Sequence, residues 1–272
     1  MIESGLKRIN PDSRDLSVVH TYGALYDEKG LPKEFSMYDG RKIPDQRFFD
    51  RRFTPPVRPL PMGCTAETGS FEAGIADKKI YRPDLLYDNT PPYYDGEGRD
   101  IRVLLKIIIE RDTLVAVDGT IGPRRKAYFN CYGSGKIDDF DAARLGLAIN
   151  QHEPRGIYIG THWYPEFGSI KKDGIMPLPS FNTNESSLHC WLGTGWDSTY
   201  KADYLEGISW QGEEYGKKGL HYIERAHYNA LMQQPWTGAF TITKLGGDAP
   251  IPIGIQAKID HIVYWLRNLF GL

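Results

Sequence analysis

The chain reads as an α+β protein with two lobes, a helical one followed by an antiparallel, β-rich one. Three observations predict this. Small residues follow Cys64 in a helix-like run, Thr65 to Asp77. A clear helical apolar face lies between Asp100 and Glu110. From Leu188 onward, short apolar stretches alternate with Gly- and Asp-containing turns, which is the pattern of antiparallel strands.

Residues 1–30 are polar and broken by Pro11 and Gly23, and read as an N-terminal extension. From Leu31 to Gly63 the chain carries Pro32, Pro44, Pro55, Pro56, Pro59 and Pro61. Each proline turns its predecessor away from the helical region, so this stretch reads as extended chain. Ala66, Phe71, Ala73, Ile75 and Ala76 suit a helix buried between two lobes, with Arg82-Pro83 as its stop. Asp84 to Tyr87 leads into a loop rich in Tyr, Pro and Gly.

Ile101, Leu104, Leu105 and Ile108 fall on one helical face. Asp138 to Ile149 predicts a second helix, acidic at its start where the helix dipole favours negative charge. Arg155 to Thr161 reads as a short strand. Leu188–Trp196, Tyr204–Trp210, Gly219–Arg225 and Ala239–Thr243 are further strand candidates. Ile259, Ile262, Val263, Leu266, Leu269 and Phe270 make an apolar stripe on a final helix. Such a stripe packs onto the protein's own core or serves a protein partner or a membrane surface. The expected division is an extension over 1–30, a two-lobed domain over 31–232, and a C-terminal strand and amphipathic helix over 233–272.

With 272 residues, 40% hydrophobic and 25% charged, the composition is that of a globular protein. A net charge of −2 gives no nucleic-acid footprint. The basic run Arg41, Lys42, Arg47, Arg51, Arg52 and Arg58 reads as a solvated loop, with a docking patch for an acidic partner as the alternative. Cys64, Cys131 and Cys190 cannot all pair within one chain, which fits a reducing compartment. Met1 to Arg8 has no apolar signal-peptide core, so a cytoplasmic or virion-associated location is expected. No stretch approaches the roughly 18 apolar residues of a membrane span. His162, His221 and His227 lack metal-ligand spacing, and Gly133-Ser134-Gly135-Lys136 lacks the rest of a phosphate loop, so no cofactor is expected.

The chemistry concentrates on Cys64 and His189. Cys64 stands where a turn ending in Gly63 runs into a helix, and His189 stands far along the chain in a strand-like context. A thiol at a helix start with a distant histidine is how a thiolate nucleophile is assembled, because the helix dipole and an imidazolium both favour S⁻. A buried structural thiol and a satisfied core histidine are the ordinary alternatives.

The order of these segments resembles the papain-like cysteine peptidases, particularly short microbial and viral members. Leu31 to Phe35, Thr54 to Arg58 and Gly63-Cys64-Thr65-Ala66 resemble the mature N-terminal stretch leading to the nucleophile. Trp163 to Phe167 and Gly174 to Pro177 resemble the segment before the catalytic histidine. Leu188-His189-Cys190-Trp191 resembles the histidine strand, and Tyr204 to Trp210 the strand of the third catalytic residue. The resemblance spans roughly residues 31–232. It implies a papain-like fold, Cys64 and His189 as the catalytic pair, Trp210 shielding the histidine, Gly63 as active-site support, and a peptide or protein substrate.

Two departures stand out. The histidine-orienting asparagine is replaced by Ile208, beside Ser209, and isoleucine makes no hydrogen bond. The oxyanion glutamine is missing before Cys64, where Arg58 or the more distant Gln46 are substitutes. Glu206 could take over orientation from the same strand face as Ile208. The alternative reading is a papain-fold adaptor or structural protein, of a viral particle for instance, that lost catalysis. A cell-wall cysteine endopeptidase ranks third.

Overall fold

The computed structural model describes residues 16–17, 46–47, 62–92, 98–133, 138–149, 156–197, 204–208 and 211–244. Over these, the secondary structure is β1 (Leu16–Ser17), β2 (Gln46–Arg47), α1 (Cys64–Asp77), α2 (Pro83–Asn89), α3 (Ile101–Glu110), β3 (Arg125–Asn130), α4 (Asp139–Ile149), β4 (Ile157–Trp163), β5 (Ser187–Asp197), β6 (Tyr204–Ile208), β7 (Leu220–Glu224), α5 (Arg225–Met232) and β8 (Gly238–Lys244). One sheet holds the strands in the order β1-β3-β8-β4-β5-β6-β7, with β2 also paired to β5. All pairings are antiparallel except β1 with β3.

The two faces of the sheet carry different helices. Tyr158, Gly160, Cys190 and Leu192 face α1: the Tyr158 hydroxyl donates to Glu72 at 3.2 Å, and Leu192 packs with Phe71 and Ile75. The alternate residues Ile157, Ile159, Thr161, Trp163, His189 and Trp191 lie on the opposite face, as the two-residue period of a strand requires. There α4 comes so close that a Cβ on Gly146 would stand 3.1 Å from Ile157 and 2.6 Å from the Cys131 sulfur.

α1 is the buried helix that its small residues predict. Thr65 to Ile75 are all buried, an outcome open only to a helix without long polar side chains on a solvent face. Gly69 shows how close the packing is: an added Cβ would come within 2.8 Å of Leu86 on α2 and 3.2 Å of Leu104 on α3. α3 follows its apolar face, and Asp100 caps it by accepting from the Val103 amide at 3.1 Å.

Three carboxylates ride on α1 into this interior, Glu67, Glu72 and Asp77, and the last two are answered by Arg125 of β3. Arg125 and Glu72 are wholly buried. The guanidinium donates to Asp77 at 2.9 and 3.4 Å and lies 3.8 Å from Glu72. Tyr81 adds a 2.9 Å hydrogen bond to Asp77.

Three differences from the sequence reading have clear causes. Asp84 to Tyr87 is helical, because Pro83 at the first helical position supplies the preset φ of a helix start. Neither β3 nor α5 was visible in the apolar pattern: β3 opens on two basic residues and ends on Asn130, and α5 directly follows β7. Gly238–Lys244 is no appendage. As β8 it lies in the sheet between β3 and β4, which moves the expected boundary at residue 233 and makes this strand part of the domain. The extension over 1–30, apart from β1, the basic run apart from the backbone of β2, and the amphipathic stripe over 259–270 lie outside the described residues. No helix among the described residues is long and apolar enough to cross a membrane.

Arg125→Met leaves two buried carboxylates unanswered and is expected to cost about 3–5 kcal/mol in urea unfolding. A loss below about 1 kcal/mol would mean that the network carries no stabilising weight.

Candidate active site

Cys64 is the first residue of α1. Gly63 stands before it without a side-chain cap, and the Glu67 amide bonds the Gly63 carbonyl at 2.9 Å. The thiol is half-buried, and its sulfur accepts a hydrogen bond from the Cys190 amide at 3.4 Å. β6 is paired with β5 as far as Leu192, opposite Ile208. The sulfur therefore meets β5 just past the end of that pairing, at the residue next to His189.

The two candidate residues are thus neighbours, but not as an ion pair. The His189 ring lies 4.5 Å from Trp163, which is 5.9 Å from His221. Trp191 lies 4.8 Å from His221 and donates its indole N–H to Thr161, the residue paired with His189. This aromatic setting occupies the face of β5 away from α1.

Burial governs both groups. With little water to hydrate an imidazolium, His189 is pushed down to about 3 and stays neutral. Burial also raises the Cys64 thiol, and the Glu67 carboxylate adds to this; hydrogen bonds from Cys190 and Thr65 act against it. The thiolate favoured by the helix dipole is therefore outweighed, and the resting pair is SH beside neutral imidazole.

Ile208 is buried against Phe71, Ile75 and Leu192, on the α1 face of the sheet. Its side chain is directed away from the His189 ring. Ser209 and Trp210 lie outside the described residues, as does Arg58. Gln46 pairs with Trp196, seven residues along β5 from His189, or roughly 23 Å at 3.3 Å per residue, too far for an oxyanion donor. Glu206 does not orient His189 either. It sits opposite Gly195, accepting from Thr194 at 3.0 Å and from the Tyr222 hydroxyl at 3.1 Å. Thr194 is the extra residue of a bulge between Gly193 and Gly195.

The sequence reading missed the surroundings of the histidine. Trp163 was read as part of an aromatic segment, but not as the ring packed on His189. His221 was dismissed with the metal ligands. It is wholly buried, and neither ring nitrogen has a hydrogen-bond partner. It occupies the space left by Gly207, where a Cβ would stand 2.6 Å from its Nε2 and 2.5 Å from Trp191. Among the described residues no group of His, Cys, Asp and Glu could hold a metal ion.

The comparisons with known proteins address the fold. No family model matches the chain, and no curated protein matches its sequence. Solved structures do match. Xylellain, a cysteine protease from Xylella fastidiosa, superposes with a TM-score of 0.56 at 16% identity, covering 86% of this chain and 93% of its own. A digestive procathepsin L2 proteinase from Tenebrio molitor larval midgut gives 0.57 at 14% identity, over 78% of this chain and 72% of its own. The bromelain protease from Ananas comosus gives 0.55 at 11%, over 74% and 100%. The chain has a papain-like α+β fold.

Two outcomes test this geometry. Ile208→Asn buries an amide among apolar groups, away from His189. It is expected to lose about 1–3 kcal/mol of stability and gain no reactivity at Cys64, read by urea unfolding and by alkylation. His221, like His189, is pushed down to about 3 by burial, against about 6.5 when unfolded. The neutral buried ring therefore stabilises the fold fully above pH 6.5, and that contribution is lost as pH falls toward 3. Between pH 6.5 and 5 wild type should lose about 2 kcal/mol more than His221→Phe. Parallel stability curves for the two proteins would rule this out.

Proposed function

We propose that the chain is a cysteine peptidase that cleaves peptide bonds with Cys64 as nucleophile and His189 as general base and acid. The observation that carries the reading is the position of the Cys64 sulfur. It stands at the start of a buried helix and is hydrogen-bonded to the amide next to His189, within a fold whose solved relatives are cysteine proteases.

The resting neutrality of the pair decides how the reaction runs. In this reading His189 takes the proton of the thiol as the thiol attacks the substrate carbonyl. The tetrahedral oxyanion is held by the Cys64 backbone amide, with the uncapped helix terminus behind it. The imidazolium then protonates the leaving amine, and water hydrolyses the thioester. Removing one oxyanion donor costs about 10²–10³ in rate, so without the glutamine and with Ile208 at the asparagine position the enzyme is slow. A shallow depression of about 390 Å³, lined by Trp163, Tyr164, Asn184 and Ser187 among others, gives a substrate side chain room next to Trp163, the ring packed on His189.

The second reading, a papain-fold binding protein without catalysis, draws on Ile208 and on the separation of the imidazole from the thiol. Hydrolysis of casein-type peptides decides between the two. Wild type should cleave them, Cys64→Ala should not, and His189→Ala should be slower by about 10³ or more. Iodoacetamide labelling of Cys64 should rise with pH toward 9 and slow in His189→Ala. No cleavage by wild type, together with Cys64 labelling unaffected by His189→Ala, would leave the binding-protein reading.

A further inference from the structure

Cys190 follows His189 on β5, and its position makes it the neighbour of Cys64. The two belong to different elements, and both are free thiols. The Cys64 sulfur lies 3.4 Å from the Cys190 amide nitrogen, hence within about 5 Å of its Cα. The Cys190 side chain shares the α1 face of the sheet with Gly160 and Leu192, so it is directed at the helix turn that carries Cys64. A second observation agrees: the Cys190 thiol feels the charge of Cys64 and the hydroxyls of Thr65 and Thr68, the next turn of the same helix. A disulfide needs Cα atoms about 4.4–6.8 Å apart with side chains converging, and the seat of the Cys64 sulfur against the Cys190 amide brings the two residues close to that spacing. Access differs in the useful sense: Cys64 is half-buried and open to a small oxidant, while Cys190 is 4% exposed.

We propose that Cys64 and Cys190 form a reversible disulfide under hydroperoxide oxidation, Cys190 acting as the resolving thiol. The Cys64 thiolate attacks one peroxide oxygen, which breaks the O–O bond, gives Cys64 sulfenic acid and releases hydroxide. The Cys190 sulfur then attacks the Cys64 sulfur, the S–O bond breaks, and the hydroxyl leaves as water with the Cys190 proton. In sum, two thiols and one peroxide give one disulfide and two waters. A dithiol reductant restores both cysteines. Because burial raises both thiols, the reaction speeds up with pH. The proposal rests on the hydrogen bond that seats the Cys64 sulfur against Cys190 and holds whether or not the chain cleaves peptides.

The full-length chain is treated with hydrogen peroxide at a mildly alkaline pH, blocked with iodoacetamide, digested without reductant and mapped by mass spectrometry. A linked peptide pair joining Cys64 to Cys190 is expected, lost on treatment with dithiothreitol, with Cys131 still labelled as a thiol. In Cys190→Ala and Cys190→Ser, each checked for folding by circular dichroism, Cys64 should instead accumulate sulfinic acid. Conversion of Cys64 to sulfinic acid in wild type at the same rate as in the variants, with no linked pair, would overturn the proposal. So would links formed equally with Cys131.

Discussion

Everything at the candidate site hangs on a helix that has no face in water. α1 is enclosed by the sheet on one side and by α2 and α3 on the other, which favours small residues along it and requires the charges of Glu72 and Asp77 to be answered inside. Arg125 from β3 answers both, and Tyr158 and Tyr81 fill the remaining acceptor positions. A buried ion network of this kind adds little net stability over an apolar core, but it fits one arrangement and penalises others strongly. It ties the second half of α1 to β3.

Enclosure also sets the electrostatics. The site lies where helix and sheet edge come together, so the same lack of water raises the thiol and lowers the imidazole. Each effect opposes the charge separation that an activated pair needs. The helix dipole and two hydrogen bonds to sulfur work the other way, but the dipole acts at a terminus with Glu67 one turn on. The adjacency of Cys190 is a consequence of the same geometry: a strand amide near enough to bind the sulfur carries a side chain near enough to react with it.

Much of this was legible in the chain. Small residues located α1, while periodicity and turn-bounded apolar runs located α3, α4 and strands β4 to β8 closely, since burial of one face imposes a period of 3.6 or 2 on apolar residues. The segment order around Cys64 and His189 led to a papain-like fold. α5 and β3 escaped because their apolar residues are few or are displaced by residues such as Arg125, whose burial depends on partners elsewhere in the sequence. The site was legible as residue types and not as directions. Ile208 and His189 are both where the segments suggested, but a strand sends alternate side chains to opposite faces, and register is a property of pairing.

By itself the sequence determined α1, α3, α4 and the strands β4 to β8, together with the small-residue composition of α1, because each is written in local composition and spacing. Only the tertiary structure decided that β8 joins the middle of the sheet, that Glu206 serves Thr194 and Tyr222, that His189 packs on Trp163, and that Cys190 approaches Cys64. These depend on which strands pair and on how much water is left between them. Such quantities arise from contacts between segments far apart in the chain, so no local window of the sequence contains them.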